Sequence, residues 1–309
     1  MRHFLIDTDT ASDDAVALAM ALRHPDVRVE AVTVVAGNVP VDQGAQNALY
    51  TVALCERQVP VYRGMAKPLL RRLETAQDVH GVDGMGDIGL PLAGRTPANG
   101  HAVDALIETV DRFAGQITLV TLGPLTNVAM ALVQDPAIAV KVDACVMMGG
   151  IGQGYGNVTP LAEYNVWADP EAARIVFESG LPLTMVGWDI SRVYAVFDPQ
   201  EAARLRAVGT PLARFCVDIQ KVVNQFARRV THLAGFDLPD AIAMAIALDP
   251  MVAVRTKHAF VTVETGGTWG RGQTVVDHLG ITEREPNANV VLEASRERFL
   301  GLLYGTVRH

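Results

Sequence analysis

Four aspartates lie within eight residues where the sequence predicts a strand followed by a helix. Phe4–Ile6 is a short apolar run typical of a buried strand, and Asp7 and Asp9 follow it directly. Asp13 and Asp14 fall in the first turn of the predicted helix, where unpaired backbone N–H groups favour anions. Open α/β sheets bind their ligands at such junctions. Because four carboxylates this close repel one another, the pattern predicts a divalent cation with oxygen ligands among them.

Acidic residues in a loop and a first helical turn also occur as simple caps or solubilising groups. Here the helix continues as AVALAMAL over residues 15–22, which is apolar on every side and therefore predicts a buried helix. The aspartates at its start would then lie away from open surface, and this favours a functional site.

Composition limits what such a site can bind. The 309 residues suffice for one large α/β domain or two small ones. The net charge of −8 argues against nucleic acid, whose phosphates need basic patches. Cys55, Cys145 and Cys216 have no metal-binding or redox spacing, which predicts buried thiols in a reducing cytoplasm. With no room for a signal peptide and no apolar run of ~18 residues, we expect a cytoplasmic protein without membrane contact.

Predicted strands and helices alternate along the chain, as in a parallel α/β sheet. The predicted strands are 27–35, 59–62, 117–120, 144–148 and 183–186, followed by short strands in the tail. The predicted helices are 42–56, 102–113, 170–179, 199–208 and 211–229, one after Pro239 and one from Arg296. No repeat, low-complexity tract or linker interrupts the sequence. We therefore predict an open, doubly wound, mostly parallel sheet flanked by helices, in one domain over 1–309.

Further candidates lie after the predicted strands. Asn38 is as consistent with a turn as with a function. His80 lies on a glycine-flanked loop within residues 63–100, where a proton donor, a substrate contact and a solvated histidine are equally consistent. After the strand 117–120, a Gly-Pro turn places the carbonyl oxygen of Leu122 where a hard cation would accept it.

Three polar residues nearer the C-terminus extend the list of candidates: Glu163, Asn165 and Asp240. Glu163 and Asn165 are two residues apart in a stretch predicted to be extended, so their side chains should face the same way. Side by side, they can pair with the vicinal hydroxyls of a sugar, although simple capping is the alternative. Asp240 opens an apolar helix as Asp14 does, either as an N-cap or as a further acid of the same site. The glycine-rich segment 149–157 lacks the strand-then-helix context of a dinucleotide site.

These motifs, in this order, resemble the inosine-uridine-preferring nucleoside hydrolase family over nearly the whole chain. The matching segments are DTDTASDD (7–14), GN (37–38), HGVDGMG (80–86), LGPLTN (122–127), MMGG (147–150), AEYNVWADPEAA (162–173), PDAIA (239–243), RGQTVVD (271–277) and NANVVLEASRERFL (287–300). Haloacid-dehalogenase-type phosphatases also begin with Asp-x-Asp. They usually carry Thr or Val where Ala11 stands, however, and their pattern gives Asp13 and Asp14 no role.

The resemblance implies a Rossmann-like core and hydrolysis of the N-glycosidic bond of ribonucleosides, giving ribose and a free nucleobase. It implies Ca²⁺ held by Asp9, Asp14, the Leu122 carbonyl oxygen and Asp240. It implies ribose binding by Asp13, Asn157, Glu163 and Asn165, with Met148 near the sugar, Asn38 beside the attacking water and Asp7 supporting the calcium-binding turn. Calcium would lower the pKa of a bound water, and Asp9 would take its proton as general base. We also expect a homodimer or homotetramer.

One position departs from the family pattern. Many members carry a histidine immediately before the aspartate that matches Asp240, and here Pro239 stands there. The source of the proton for the leaving base is therefore open, with His80 the first candidate and His232 the second. Two other functions also remain open: a catalytically weak nucleoside- or ribose-binding protein of the same fold, and a haloacid-dehalogenase-like phosphohydrolase.

Overall fold

An eight-stranded sheet runs through the centre of the protein in a computed structural model that describes residues 1–308. Within residues 1–308, eight strands form this sheet, and β7–β8 and β10–β11 form two separate two-stranded sheets. In chain order the strands are β1 (Arg2–Thr8), β2 (Val27–Val34), β3 (Val61–Arg63), β4 (Ile117–Thr121), β5 (Val142–Met148), β6 (Leu183–Val186), β7 (Val196–Phe197), β8 (Phe236–Asp237), β9 (Ala253–Ala259), β10 (Val261–Val263), β11 (Thr274–Val276) and β12 (Ala288–Ala294).

Helices cover both faces of this sheet. They are α1 (Ser12–Arg23), α2 (Val41–Leu54), α3 (Gln77–His80), α4 (Ala102–Arg112), α5 (Thr126–Gln134), α6 (Ile138–Lys141), α7 (Tyr164–Ala168), α8 (Pro170–Phe177), α9 (Trp188–Tyr194), α10 (Pro199–Arg206), α11 (Pro211–Asp218), α12 (Lys221–Phe226), α13 (Pro239–Leu248) and α14 (Arg296–Val307). A π-helical turn spans Ala227–Thr231 and a 3₁₀ turn spans Pro250–Val252.

The strand order of the large sheet is β3-β2-β1-β4-β5-β6-β12-β9. Neighbouring strands are parallel except for the antiparallel pair β12–β9. Strands β2 and β4 pair with opposite edges of β1, so the direction of winding reverses between β1 and β4. These features confirm the predicted open, doubly wound, mostly parallel sheet. Such a reversal leaves a crevice at the carboxyl ends of the two strands, which is where ligands bind in this architecture.

The side chains of β1 alternate between two hydrophobic cores, one on each face of the sheet. Phe4 and Ile6 pack with α1, α13 and α14, whereas Leu5 packs on the other face with α4, α5 and α8. A strand buried on both faces must be apolar at every position, which explains the continuous run at Phe4–Ile6. Truncating Phe4 to alanine would remove about 3–5 kcal/mol of stability.

Helix α1 begins where the aspartates lie, and Asp14 closes its first turn. Asp14 Oδ2 accepts from the Ala11 N–H at 2.9 Å, and Asp14 Oδ1 accepts from the Thr8 hydroxyl at 2.5 Å. Residues 12–22 are all buried, so the aspartates are carried into the interior as predicted. The helix ends at Arg23, two residues before Pro25.

Two local predictions were wrong. The stretch around Glu163 and Asn165 is not extended, because the Glu163 side chain caps α7 by accepting from the Asn165 and Val166 N–H groups. The helix predicted over 211–229 is divided into α11, α12 and the π-helical turn. Gln220 lies at the first break, where its buried amide donates to the Ser12 carbonyl oxygen at 3.0 Å.

Cys55, Cys145 and Cys216 are free and buried, as predicted. Burial raises the pKa of the Cys55 and Cys145 thiols to about 12, so these thiols stay protonated at neutral pH. Across residues 1–308, no helix has both the length and the apolar character needed to cross a membrane.

Candidate active site

Buried acids meet at the crevice between β1 and β4. Asp9 follows β1, Asp13 and Asp14 begin α1, and Asp240 begins α13 on the opposite side; each is at most 6% exposed. Carboxylate oxygens of Asp13, Asp14 and Asp240 lie within 4.8 Å of one another. Asp9 adjoins this group, and repulsion from Asp14 and Asp13 contributes to the rise of its pKa. The fold therefore brings four of the predicted acids together from segments more than 200 residues apart.

The cluster is electrostatically strained without a positive charge. Burial raises the pKa of Asp9, Asp13 and Asp240 well above the usual range, and repulsion from Asp14 raises each further. Asp9 Oδ1 and Asp13 Oδ1 are buried without a hydrogen-bond partner among residues 1–308. Unpaired buried carboxylate oxygens are costly. A hard divalent cation, which takes oxygen ligands, fits these residues.

Two glycines hold Asp9 closely, and the sequence alone did not single them out. The Asn38 N–H donates to Asp9 Oδ2 at 2.6 Å, and a Cβ added to Gly37 would lie 2.1 Å from that same oxygen. A Cβ added to Gly123 would lie 2.8 Å from Asp9 Oδ1. Only hydrogen fits at both places. The available signal was a glycine soon after a buried strand in each of two motifs at the ligand edge.

The Leu122 backbone lies beside the acids and is held at both ends. Its N–H donates to the Asp7 carbonyl oxygen at 2.8 Å, and its own carbonyl oxygen accepts from Asn165 Nδ2 at 2.8 Å. Asn165 Nδ2 also lies 3.3 Å from Met148 O and Sδ. Leu122, Met148 and Asn165, which the sequence placed in separate roles, therefore form one contact group.

Asp7 lies behind this group and does not line the cleft. Its Oδ2 accepts from the Thr33 hydroxyl at 2.6 Å and from Asn127 Nδ2 at 2.8 Å. Burial raises its pKa to about 7, against the lowering effect of these two hydrogen bonds. Asp7 thus ties β1 to β2 and α5 beneath the acid cluster.

Glu163 links the glycine-rich segment to α7. Its Oε2 accepts from the Gly150 N–H at 2.7 Å, and its Oε1 accepts from the Asn165 N–H at 2.8 Å. Burial raises the pKa of Glu163 to about 7, although the backbone hydrogen bonds act in the other direction. The side chain still reaches the cleft wall beside Asn165.

Asn38 and Asn157 also reach the cleft wall, from different sides. Asn38 follows β2, and Asn157 stands at the end of the glycine-rich segment. Asn157 Oδ1 accepts from the Tyr164 N–H at 3.0 Å, and this hydrogen bond does not involve Asn157 Nδ2. The ribose-binding candidates therefore surround one cavity.

His80 ends α3 and faces the start of α1. Its Nδ1 lies 3.0 Å from Ser12 Oγ and 3.7 Å from Asp13 Oδ1. Burial lowers the pKa of His80 to about 4, so its ring is neutral at pH 7. His232, the second candidate, is exposed in a left-handed backbone conformation (φ 56°) and does not line the cleft. Pro239 does line it.

Sequence reasoning missed the rest of the cleft wall. The additional wall residues are Val79, Tyr164, Trp188, Val223, Phe226, Ala227, Thr231 and Asp237. Most are apolar side chains from helices distant in sequence, which carry no local signal. Asp237 did carry one, because it is an acid three residues before Asp240 at a strand-to-helix junction.

With this geometry in place, similarity to known proteins decides the family. The family described as inosine-uridine preferring nucleoside hydrolase matches residues 4–301. The chain belongs to this family. Its membership confirms the predicted ribonucleoside hydrolase and favours that activity over the phosphohydrolase alternative.

Relatives of this nucleoside hydrolase carry names that indicate different nucleoside preferences. The pyrimidine-specific ribonucleoside hydrolase RihB of Escherichia coli O1:K1 / APEC is 37% identical over 308 residues, covering 99% of this chain and 97% of that protein. The purine-preferring ribonucleoside hydrolase from Gardnerella vaginalis superposes with a TM-score of 0.91 at 30% identity, covering 99% and 98% of the two chains. An inosine-guanosine nucleoside hydrolase superposes with a TM-score of 0.92 at 31% identity, covering 100% and 99%.

Proposed function

We propose that this protein is a calcium-dependent hydrolase that cleaves ribonucleosides to ribose and a free nucleobase, with Asp9 as the general base. One observation carries the proposal. The cluster of buried acids, in which Asp9 Oδ1 and Asp13 Oδ1 are unpaired, reaches the cleft of Glu163 and Asn165 through Asp13 and Asp240. A cation site and a set of hydroxyl-binding groups therefore adjoin a single cavity.

Asp9, Asp14, Asp240 and the Leu122 carbonyl oxygen would hold Ca²⁺. When bound, the ion supplies positive charge that offsets the repulsion among the carboxylates and lowers the pKa of a water. Asp13 is the alternative to Asp9 in this set, since its carboxylate lies within 4.8 Å of those of Asp14 and Asp240. We keep Asp13 as a ribose contact because it lines the cleft, whereas Asp9 does not.

Asp9 is suited to receive a proton at one defined atom. The Asn38 N–H donates a hydrogen bond to Asp9 Oδ2. Asp9 Oδ1 has no partner and is therefore the oxygen that would accept the proton of the attacking water. Gly37 and Gly123 fix the carboxylate by close approach, so little reorganisation is needed during reaction. The surrounding carboxylates favour the positive charge that develops on the sugar in an oxocarbenium-like transition state.

The ribose would lie against Asp13, Asn157, Glu163 and Asn165, with Met148 packed beside it. A site that pairs a hydroxyl rejects the analogue lacking it by ~10⁴-fold or more, because its own polar groups are left unpaired. We therefore expect 2′-deoxynucleosides to be poor substrates. Comparable kcat/KM for uridine and deoxyuridine would contradict the roles of Asp13 and Asn165.

The leaving base would lie against the apolar wall formed by Val223, Phe226 and Pro239. Proline has no proton to give, so His80 is the best candidate for assisting departure of the base. As a neutral ring, His80 can donate an N–H hydrogen bond if Ser12 donates its hydroxyl proton to Nδ1. His232 is the weaker candidate because it is exposed.

A ribose-binding protein with weak turnover is the second candidate, and Pro239 is the residue that favours it. Ribose release from inosine, uridine, cytidine and adenosine, measured by a reducing-sugar assay, separates the two. Release from at least one substrate, abolished by calcium removal, supports the hydrolase. Ligand binding without release supports the binding protein. The single domain over 1–309, the cytoplasmic location and the homodimer or homotetramer stay predictions.

A further inference from the structure

Asp237 lines the cleft, yet the reaction outlined above gives it no role. It ends β8, three residues before Asp240, and is only 8% exposed. Two side chains donate to its carboxyl group: Trp188 Nε1 at 3.1 Å and Ser191 Oγ at 2.9 Å. Both hydrogen bonds end on Oδ2. Within residues 1–308, Oδ1 receives no hydrogen bond from another side chain and is the oxygen left for a ligand.

The groups that orient Asp237 are themselves fixed. Trp188 is 3% exposed, and the Arg192 guanidinium lies over its ring at 5.1 Å and over the Tyr155 ring at 4.0 Å. Ser191 belongs to the same short helix as Trp188 and is fully buried. The carboxylate is therefore presented to the cleft in one orientation.

Asp237 belongs to the apolar part of the cleft. Strand β8 packs against α12 and the π-helical turn, which contribute Val223, Phe226 and Ala227 to the wall. A planar aromatic ring suits such a wall, whereas the sugar hydroxyls need the polar residues around Asn38 and Glu163. In a mostly apolar pocket, a single well-placed polar group fixes ligand orientation and specificity.

We propose that Asp237 Oδ1 accepts a hydrogen bond from an N–H on the pairing edge of the nucleobase, and that this enzyme selects bases carrying such a donor. The inference rests on the proposed function, since it names the base-recognition group of the same site. A base methylated at that nitrogen leaves a buried carboxylate without its partner, which strongly disfavours binding and reaction.

The proposed hydrogen bond is tested by a double-mutant-type cycle that combines one substitution in the protein with one change in the substrate. We would measure kcat/KM for uridine and 3-methyluridine with the wild-type protein and with Asp237→Asn. In the variant the amide oxygen can still accept from Trp188 and Ser191, which turns the NH₂ group toward the cleft. The wild-type preference for uridine should then fall by about 10–100-fold. Because each ratio is taken within one preparation, the fraction of folded protein cancels.

Asp189→Asn is the matched control. Asp189 is a largely buried acid on the same helix as Trp188, but it accepts from the Gly152 and Gln153 N–H groups and does not line the cleft. The same chemical change there should leave the preference for uridine over 3-methyluridine unaltered. If Asp237→Asn does not fold, Trp188→Phe retains an aromatic ring and removes one donor to Asp237, and it should lower the preference in the same direction.

The same cycle with inosine and 1-methylinosine shows whether the pairing edge of a purine also reaches Asp237. The inference is overturned if the wild-type protein does not prefer the unmethylated nucleoside in either substrate pair. It is also overturned if Asp237→Asn leaves that preference unchanged. Both outcomes leave the proposed function intact. A wild-type protein that releases ribose from no ribonucleoside overturns the proposed function itself.

Discussion

Asn165 Nδ2 donates to the Leu122 carbonyl oxygen at 2.8 Å, joining a proposed ribose contact to a proposed calcium ligand. The two residues are 43 positions apart, and the hydrogen bond joins the first turn of α7 to the residue that follows β4. A carbonyl oxygen has two lone pairs, so it can accept this hydrogen bond and still face a cation. If both proposed roles hold, substrate binding and metal binding share one amide side chain.

Replacing Asn165 should weaken calcium binding as well as catalysis. Groups that orient a metal ligand typically contribute 10–100-fold to metal affinity. We expect Asn165→Ala to raise the Kd for calcium, measured by isothermal titration calorimetry, by about that factor. Asn157→Ala is the control, because Asn157 bonds the Tyr164 N–H and not Leu122, and it should raise KM alone. Equal calcium affinities in the two variants would contradict the shared role.

Gly37→Ala should inactivate the enzyme through steric displacement of Asp9. The added Cβ would lie 2.1 Å from Asp9 Oδ2, so the carboxylate must move by an ångström or more. A shift of about 1 Å in a catalytic group can lower the rate by about 10²-fold. Gly266→Ala, whose Cβ would meet its nearest atom at 3.5 Å, should retain wild-type kcat. Normal turnover by Gly37→Ala would show that the position of Asp9 is not critical.

His80→Ala should slow natural nucleosides and spare an activated substrate. General acid assistance is typically worth ~10²–10⁴ in rate, so kcat on inosine or uridine should fall by about that much. With p-nitrophenyl riboside, whose leaving group needs no proton, the rate should barely change. Equal slowing of both substrates would mean that His80 only shapes the cleft. If neither slows, His232→Ala becomes the next variant to measure.

Glu163 should make the calcium-free protein less stable as pH rises. Its pKa is raised from 4.5 to about 7 by burial, so the folded state binds more protons than the unfolded state between these values. Stability then falls with increasing pH across that window, by up to about 3 kcal/mol. Urea unfolding at pH 5, 6 and 7 should show a flatter slope for Glu163→Gln than for the wild-type protein. The exposed Glu178→Gln should keep the wild-type slope, and identical slopes in all three proteins would refute the assignment.

Sequence reasoning was most successful where a local pattern is itself the physical cause. The apolar run at Phe4–Ile6 and the acids in the first turn of α1 led to the correct strand, helix and buried junction. The sequence also led to the correct family. Its order of motifs placed Asp9, Asp14 and Asp240 in one group, although nothing in the periodicity measures the distance between residues 14 and 240.

The predictions that failed depend mostly on contacts between residues that are distant in sequence and meet only in the folded protein. Glu163 is the exception, because the cap that starts α7 is a local contact with the Asn165 and Val166 N–H groups, and the prediction of an extended stretch missed it. The break at Gln220 depends on the distant carbonyl group of Ser12. Asp237 was passed over because its donors, Trp188 and Ser191, lie more than 45 residues away in the sequence.

The proposed calcium-dependent hydrolysis is tested by measuring calcium content and activity on the same samples. We would purify the wild-type protein, Asp14→Ala, Asp240→Ala, Asp9→Ala and Asp13→Ala, equilibrate each with calcium, and measure bound metal by mass spectrometry alongside ribose release. We predict one Ca²⁺ per wild-type chain and loss of both metal and activity in the Asp9, Asp14 and Asp240 variants. Asp13→Ala should keep most of its metal and bind ribonucleosides weakly. Full calcium occupancy in Asp14→Ala, or undiminished ribose release from calcium-free wild-type protein, would contradict the proposed calcium site and its role in hydrolysis.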